Sequence, residues 1–147
     1  MKALLQRVSE ASVTVDDRIA GAIGGGLLVF IGVEPHDTEK TAQRMLDRLL
    51  RYRVFSDDEG RMNLSLQDTG GGLLLVSQFT LAADTRKGNR PGFSTAAPPA
   101  QADVLFHYLV DLARDQLDHR RLATGEFAAD MQVQLVNDGP VTILLEA

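Results

Sequence analysis

Four consecutive residues, Ser77-Gln78-Phe79-Thr80, stand where a long apolar run gives out, and they bring hydroxyl, amide and aromatic groups into one short stretch. The end of a buried strand presents backbone N–H groups and hydroxyls to a crevice, which suits binding of a carboxyl or carbonyl group. The same tetrapeptide also fits a strand whose pleat merely turns to solvent. A second motif, Asn137-Asp138-Gly139-Pro140, separates two alternating apolar runs. Proline brings no N–H to a ladder, and the glycine before it relieves the steric limit on a pre-proline residue. Such a bond is either an ordinary trans turn or one of the ~5% of X–Pro bonds that are cis in folded proteins. Thr80 alone makes a poor nucleophile, because a hydroxyl needs a base and no histidine or acid stands beside it in sequence.

Other chemistries lack their residues. His36, His107 and His119 share no HxH or HExxH spacing and the chain has no cysteine, so neither a bound metal nor any other cofactor is expected. There is no G-x-S-x-G elbow and no Walker loop. Gly21, Gly24, Gly25 and Gly26 precede a strand rather than open a helix, so they read as a hairpin turn and not as a dinucleotide fingerprint. Fifteen Lys and Arg against twenty Asp and Glu leave a net charge of −5, the wrong sign for coating nucleic acid or an anionic membrane. Gripping one end of an RNA needs few phosphate contacts and remains compatible with that charge. Arg86, Lys87 and Arg90, with Arg120 and Arg121, form the local basic cluster, either a phosphate contact or scattered solvated charge. No run approaches ~18 apolar residues, and Gln6-Arg7 interrupts the opening before a signal sequence could form. A cytoplasmic protein with no membrane partner is expected.

The elements that must position these residues follow from periodicity. A chain of 147 residues with 44% hydrophobic and 24% charged residues is expected to form one globular domain, residues 1–147. Ala3–Val8 and Ser12–Val15 alternate as strands, while Leu27–Val33 and Leu73–Leu81 are continuous apolar runs expected to be covered on both faces. Asp37 or Thr38 caps a helix whose buried face is Ala42, Met45, Leu46, Leu49 and Leu50. Val54-Phe55 and Met62–Leu66 read as strands around an acidic turn. Residues 82–100 form a long loop, and a second amphipathic helix spans about Gln101–Leu117. Met131–Val136 and Val141–Leu145 read as a hairpin closed by Asn137–Pro140. The fold class is α+β: a mainly antiparallel sheet or open barrel with two amphipathic helices packed on it.

Taken together, Ser77-Gln78-Phe79-Thr80-Leu81 and Asn137-Asp138-Gly139-Pro140-Val141-Thr142 resemble the D-aminoacyl-tRNA deacylase family. The likeness runs through Gln6-Arg7-Val8, Ala11–Val15, Tyr52–Asp57, Lys87-Gly88, Arg90-Pro91 and Gly125–Met131, and so covers the whole chain. One position departs: the family pattern has serine after Arg-Pro, and Gly92 stands here. The resemblance implies a homodimer acting on the 3′ end of aminoacyl-tRNA, with active sites at the subunit interface. The reaction would be hydrolysis of the ester of a D-amino acid or glycine, with L-amino acids rejected sterically. Ser77, Gln78, Phe79 and Thr80 would line the aminoacyl pocket, with Phe79 and Thr80 offering backbone N–H groups to the oxyanion. Phe127 and Met131 would hold the terminal adenine. Gly139 and Pro140, steadied by Arg7, would form a cis-proline chirality gate reaching into the partner. A non-catalytic RNA-end or nucleotide-binding module, or a general small-ester hydrolase, would use the same crevice.

Overall fold

A computed structural model describes all 147 residues. Its elements in chain order are β1 (Lys2–Val15), β2 (Arg18–Ile23), β3 (Gly26–Gly32), α1 (Glu39–Arg51), β4 (Phe55–Ser56), β5 (Met62–Leu64), α2 (Leu66–Thr69), β6 (Gly72–Ser77), α3 (Pro99–Gln116), β7 (Leu122–Thr124) and β8 (Gln132–Glu146). Short 3₁₀ turns occupy Phe79–Ala82 and His119–Arg121. The expected α+β class holds, with the two long helices in place and α2 as an unforeseen single turn.

The two alternating runs at the start are one strand, not two. β1 pairs antiparallel with β3 through Lys2–Val8 and with β2 through Ala11–Val15, and both pairings lie in one continuous line. The reversal is therefore at Asp16-Asp17, whose φ values of 48° and 62° are those of a two-residue hairpin turn. The triple glycine is not the hairpin turn expected of it. It lies where the strand runs on from β2 into β3 and meets the start of β6, where a Cβ on Gly26 would stand 2.0 Å from the Gly72 carbonyl oxygen.

β3 pairs in parallel with β6, and β6 in parallel with β7. Because both neighbours of β3 are strands and both its faces are covered, Leu27, Val29 and Ile31 point into one core and Leu28 into another. The larger core lies under α1 and α3, whose Met45, Leu46, Leu49, Leu105, Phe106 and Leu109 are buried against it. The smaller one is enclosed by the curved sheet and contains Val8, Ala11, Val13, Val15, Leu74 and Val76. Val8 and Ala11 can face the same way only because the ladder between β1 and β8 slips beside Ser9. One added residue flips the strand's alternation and redirects β1 from the helix-covered core to the barrel interior.

Three boundaries move for local reasons. Thr38, not Asp37, is the cap of α1, with Thr41 Oγ1 accepting the Thr38 N–H, while the Asp37 carboxylate accepts from the Glu34 N–H. α3 starts at Pro99, where proline's missing N–H costs the first turn nothing. The second apolar strand stops at Ser77 rather than Leu81, and the chain winds into the 3₁₀ turn Phe79–Ala82. The expected final hairpin is also absent. Residues 132–137 and 142–146 both run antiparallel to β1, so β8 continues in one direction through the Gly-Pro motif.

Candidate functional site

The end of β6 and the 3₁₀ turn place Ser77, Gln78 and Phe79 on one wall of a cavity of about 740 Å³. Gln78 is tied to the end of β3 by its N–H, which donates to the Ile31 carbonyl at 2.8 Å. Leu81 N–H closes the turn onto the Gln78 carbonyl, so the N–H groups of Phe79 and Thr80, its first two residues, are left unused by the turn. Thr80 is exposed at the rim, outside the lining, and its Oγ1 accepts a hydrogen bond from Gln78 Nε2.

The opposite wall is Phe127, Ala128, Ala129 and Met131, from the segment between β7 and β8. Ala128 adopts a left-handed backbone, φ 61°, which turns the chain so that Phe127 and Met131 both reach the cavity. Phe127 rests on Phe106 of α3, with ring centroids 6.3 Å apart. Gly125 makes room for Met131, since a Cβ there would lie 2.7 Å from its sulfur. A third wall went unnoticed in the sequence: Phe93, Ser94 and Ala96–Pro99, in the loop before α3. Thr95 Oγ1 donates to the Ala82 carbonyl and Ala97 N–H to the Val33 carbonyl, which hold that loop against the 3₁₀ turn and β3. Phe93 then stacks at a tilt on Phe79, centroids 5.0 Å apart, although both residues keep about half of their surface exposed, 56% for Phe79 and 41% for Phe93. Two aromatic residues separated by a proline and a polar loop carry no periodic signal, so only the folded chain brings them together.

None of the sixteen lining residues is titratable. The cavity therefore offers hydroxyls, an amide, backbone N–H groups and aromatic faces, but no general base of its own. It can bind and orient a polar ligand carrying a flat ring, and it can stabilise developing negative charge through N–H donors.

The other sequence candidates lie elsewhere. Asp138–Val141 swing out of the β1–β8 ladder opposite the single residue Arg7. The Gly139–Pro140 bond at the tip is cis, and Asp138, Gly139 and Pro140 are exposed. A Cβ on Gly139 would stand 2.6 Å from the Val141 nitrogen, so the excursion's own fold demands glycine there. The side chain of Arg7 is nearly buried, donating from Nε to the Asp138 carbonyl at 2.8 Å and from Nη1 to the Val54 carbonyl at 2.7 Å. Neither Arg7 nor the excursion lines the cavity of its own chain.

Arg86, Lys87 and Arg90 share a shallow depression with Asp84 and Gly92. Asp84 and Gly92 exchange two backbone hydrogen bonds that close the loop. Arg86 folds back on Asp84, whose carboxylate accepts from its Nε, Nη2 and backbone N–H. The side-chain donors, then the backbone one, hold the Asp84 carboxyl well below the usual range, so the group facing Arg86 is a carboxylate at neutral pH. Arg120 is paired likewise with Asp118, and Arg121 donates to the Gly71 and Leu66 carbonyls. Of the five cations in the expected cluster, Lys87 and Arg90 are thus the two without an anionic or carbonyl partner. At Gly92 a Cβ would meet only Asp84, at 3.7 Å, so the loop's closure has room for glycine or a small side chain alike.

The chain matches the profile of the D-Tyr-tRNA(Tyr) deacylase family over residues 4–146. It is 66% identical over 146 residues to a D-aminoacyl-tRNA deacylase of Xanthomonas oryzae pv. oryzae (strain MAFF 311018), covering 99% of each chain. It is 64% identical over 147 residues to that of Pseudomonas aeruginosa (strain LESB58), covering both completely. Among solved structures, one titled c-Myc DNA unwinding element binding protein superposes with a TM-score of 0.95 at 41% identity, over 100% of this chain and 99% of the other. A probable eukaryotic D-amino acid tRNA deacylase shares the fold, with a TM-score of 0.87 at 17% identity, over 99% of this chain and 98% of the other.

Proposed function

The chain belongs to the D-Tyr-tRNA(Tyr) deacylase family, and from that membership we propose that it hydrolyses the ester joining a D-amino acid, or glycine, to the terminal ribose of tRNA while sparing L-aminoacyl-tRNA. The observation that carries this reading is the single cavity that opens between Ser77-Gln78-Phe79 and Phe127–Met131. Its two ends match the two ends of an aminoacyl-adenosine: a polar strand terminus for the amino acid, an aromatic and a thioether for the adenine.

An ester next to an α-ammonium group is already activated, so positioning a water and stabilising the oxyanion go far towards catalysis. Water adds to the carbonyl carbon, and the tetrahedral oxyanion would accept from the N–H groups of Phe79 and Thr80. Collapse breaks the bond to the ribose oxygen, which takes up the proton that the attacking water loses; the neighbouring ribose hydroxyl can relay it. This route uses no side-chain base, in keeping with a cavity lined without one.

The chirality gate would be Gly139-Pro140, held by Arg7. Because this excursion stands apart from its own chain's cavity, its target would be the cavity of a second copy, and the working unit a homodimer with the excursion inserted in trans. Backbone rigidly placed beside the substrate's α-carbon rejects one side-chain direction without reading any particular side chain. Lys87 and Arg90 would meet phosphates near the 3′ end. No helix is long and apolar enough to cross a membrane, and a cytoplasmic location with charged tRNA fits that. The test is deacylation of D- and L-tyrosyl-tRNA by the same preparation, with a simple activated ester as a third substrate. D-tyrosyl-tRNA should be cleaved and the L form largely spared. Equal rates on both enantiomers would remove the chiral reading, and faster turnover of the simple ester would make the protein a general esterase.

A further inference from the structure

The excursion Asp138–Val141 has four residues against one on β1, and such a bulge loses the ladder hydrogen bonds that would set its direction. What replaces them is the side chain of Asn137, the last β8 residue in register before the chain leaves the sheet. Its Oδ1 accepts from the Val141 N–H at 2.7 Å, while its Nδ2 donates to the Val141 carbonyl at 3.1 Å and to Thr142 Oγ1 at 3.0 Å. One amide thus spans both backbone groups of the residue at which the excursion returns. Gln6 Nε2 donates to the same Thr142 hydroxyl from the facing strand.

Resting on the gate reading above, we propose that Asn137 is a positioning residue for stereoselectivity: its amide closes the neck of the excursion and so aims the Gly139-Pro140 corner. Arg7 grips the excursion at Asp138, and Asn137 grips its other foot at Val141. With both feet held, the corner can move only by breaking hydrogen bonds. With Asn137 gone, the return limb keeps only the packing of the Val141 side chain in the core, its backbone direction is no longer set, and the wall facing the substrate's side chain yields. Asparagine suits the place because it offers one acceptor and two donors on a short stem. Aspartate would keep the acceptor for the Val141 N–H but lose both donations.

The experiment measures hydrolysis of D- and L-tyrosyl-tRNA by Asn137→Ala, Asn137→Asp and Thr142→Val, with thermal unfolding as a control. A net hydrogen bond changes an equilibrium by up to about tenfold, so the D-over-L ratio of Asn137→Ala should fall by roughly tenfold or more. The fall should come from faster L hydrolysis, a gain that a merely destabilised protein does not show. Asn137→Asp should restore part of the ratio, and Thr142→Val should lower it least. Should Asn137→Ala fail to fold, the other two variants carry the test. A fourth chain lacking Gly139 and Pro140 separates the two ideas. If it loses selectivity while the Asn137 variants keep the wild-type ratio, the gate stands and the role of Asn137 is overturned. If it too keeps the wild-type ratio, the gate fails and the proposal falls with it.

Discussion

Thr80 is the residue whose chemistry is most open to direct measurement. Its hydroxyl is exposed, receives a hydrogen bond from Gln78 and has no carboxylate or imidazole within the cavity to deprotonate it. A hydroxyl in that setting shapes and orients rather than attacks. Thr80→Ala should therefore lower kcat by no more than about a hundredfold, the scale of a misplaced contact. Loss of an essential nucleophile costs roughly 10⁴–10⁶-fold. Single-turnover deacylation of D-tyrosyl-tRNA distinguishes the two. A collapse of kcat in a folded Thr80→Ala protein would make the hydroxyl a reacting group. At this scale the residue types in Ser77–Thr80 were readable directly, but the partner of Thr80 was not. A Gln78 side chain two residues away reaches it only because the chain turns into a 3₁₀ helix where alternation would have continued as strand. That turn also exposes Phe79, which in an extended strand would have pointed to one face or the other.

Among elements, the loop between the 3₁₀ turn and α3 matters most for binding. Its three basic residues look equivalent in sequence, yet Asp84 pins Arg86 and leaves Lys87 and Arg90 unpaired. Each phosphate contact releases counterions and steepens the salt dependence of affinity by nearly one unit of log[salt]. Lys87→Ala and Arg90→Ala should each flatten that slope by about 0.7–0.9 for tRNA binding, while Arg86→Ala should leave it almost unchanged. Titrations of binding at several salt concentrations check this; equal losses for all three would mean that Arg86 leaves Asp84 in the complex. The helices were legible because their buried faces repeat at helical spacing, and the apolar strands because their runs are unbroken. The hairpins were not. Asp16-Asp17 lacks glycine yet makes the turn, while Gly24–Gly26 has it and does not, and of those three it is Gly26 that answers to the approach of Gly72 from another strand. Turn chemistry reports conformational freedom, and several different neighbours can require it.

For the whole molecule, the separation between the cavity and the Gly139-Pro140 excursion yields a test of assembly. Consider one chain with a filled cavity, Ala129→Trp, and another lacking Gly139 and Pro140. In a mixed dimer with insertion in trans, the open cavity of the second chain faces the intact excursion of the first. Mixed dimers should then regain the wild-type preference for D over L, though neither parent shows it. A gate acting within one chain would leave the mixture as unselective as the second parent.

The amino-acid sequence by itself determined the α+β class, both long helices, the doubly covered strands and the two short motifs that mark the family, because these depend on local periodicity and contiguous residue types. Tertiary structure alone decided what those motifs face. The C-terminal run became one bent strand because both halves find the same partner, β1, and a ladder's partner cannot be read from one strand. Phe93 joined Phe79, and Phe127 and Met131 came opposite Ser77, through contacts between segments remote in sequence. Arg86 was set apart from Lys87 and Arg90 by one carboxylate. A site built from the ends of several elements is fixed by packing between them, and no local pattern of residues records that geometry.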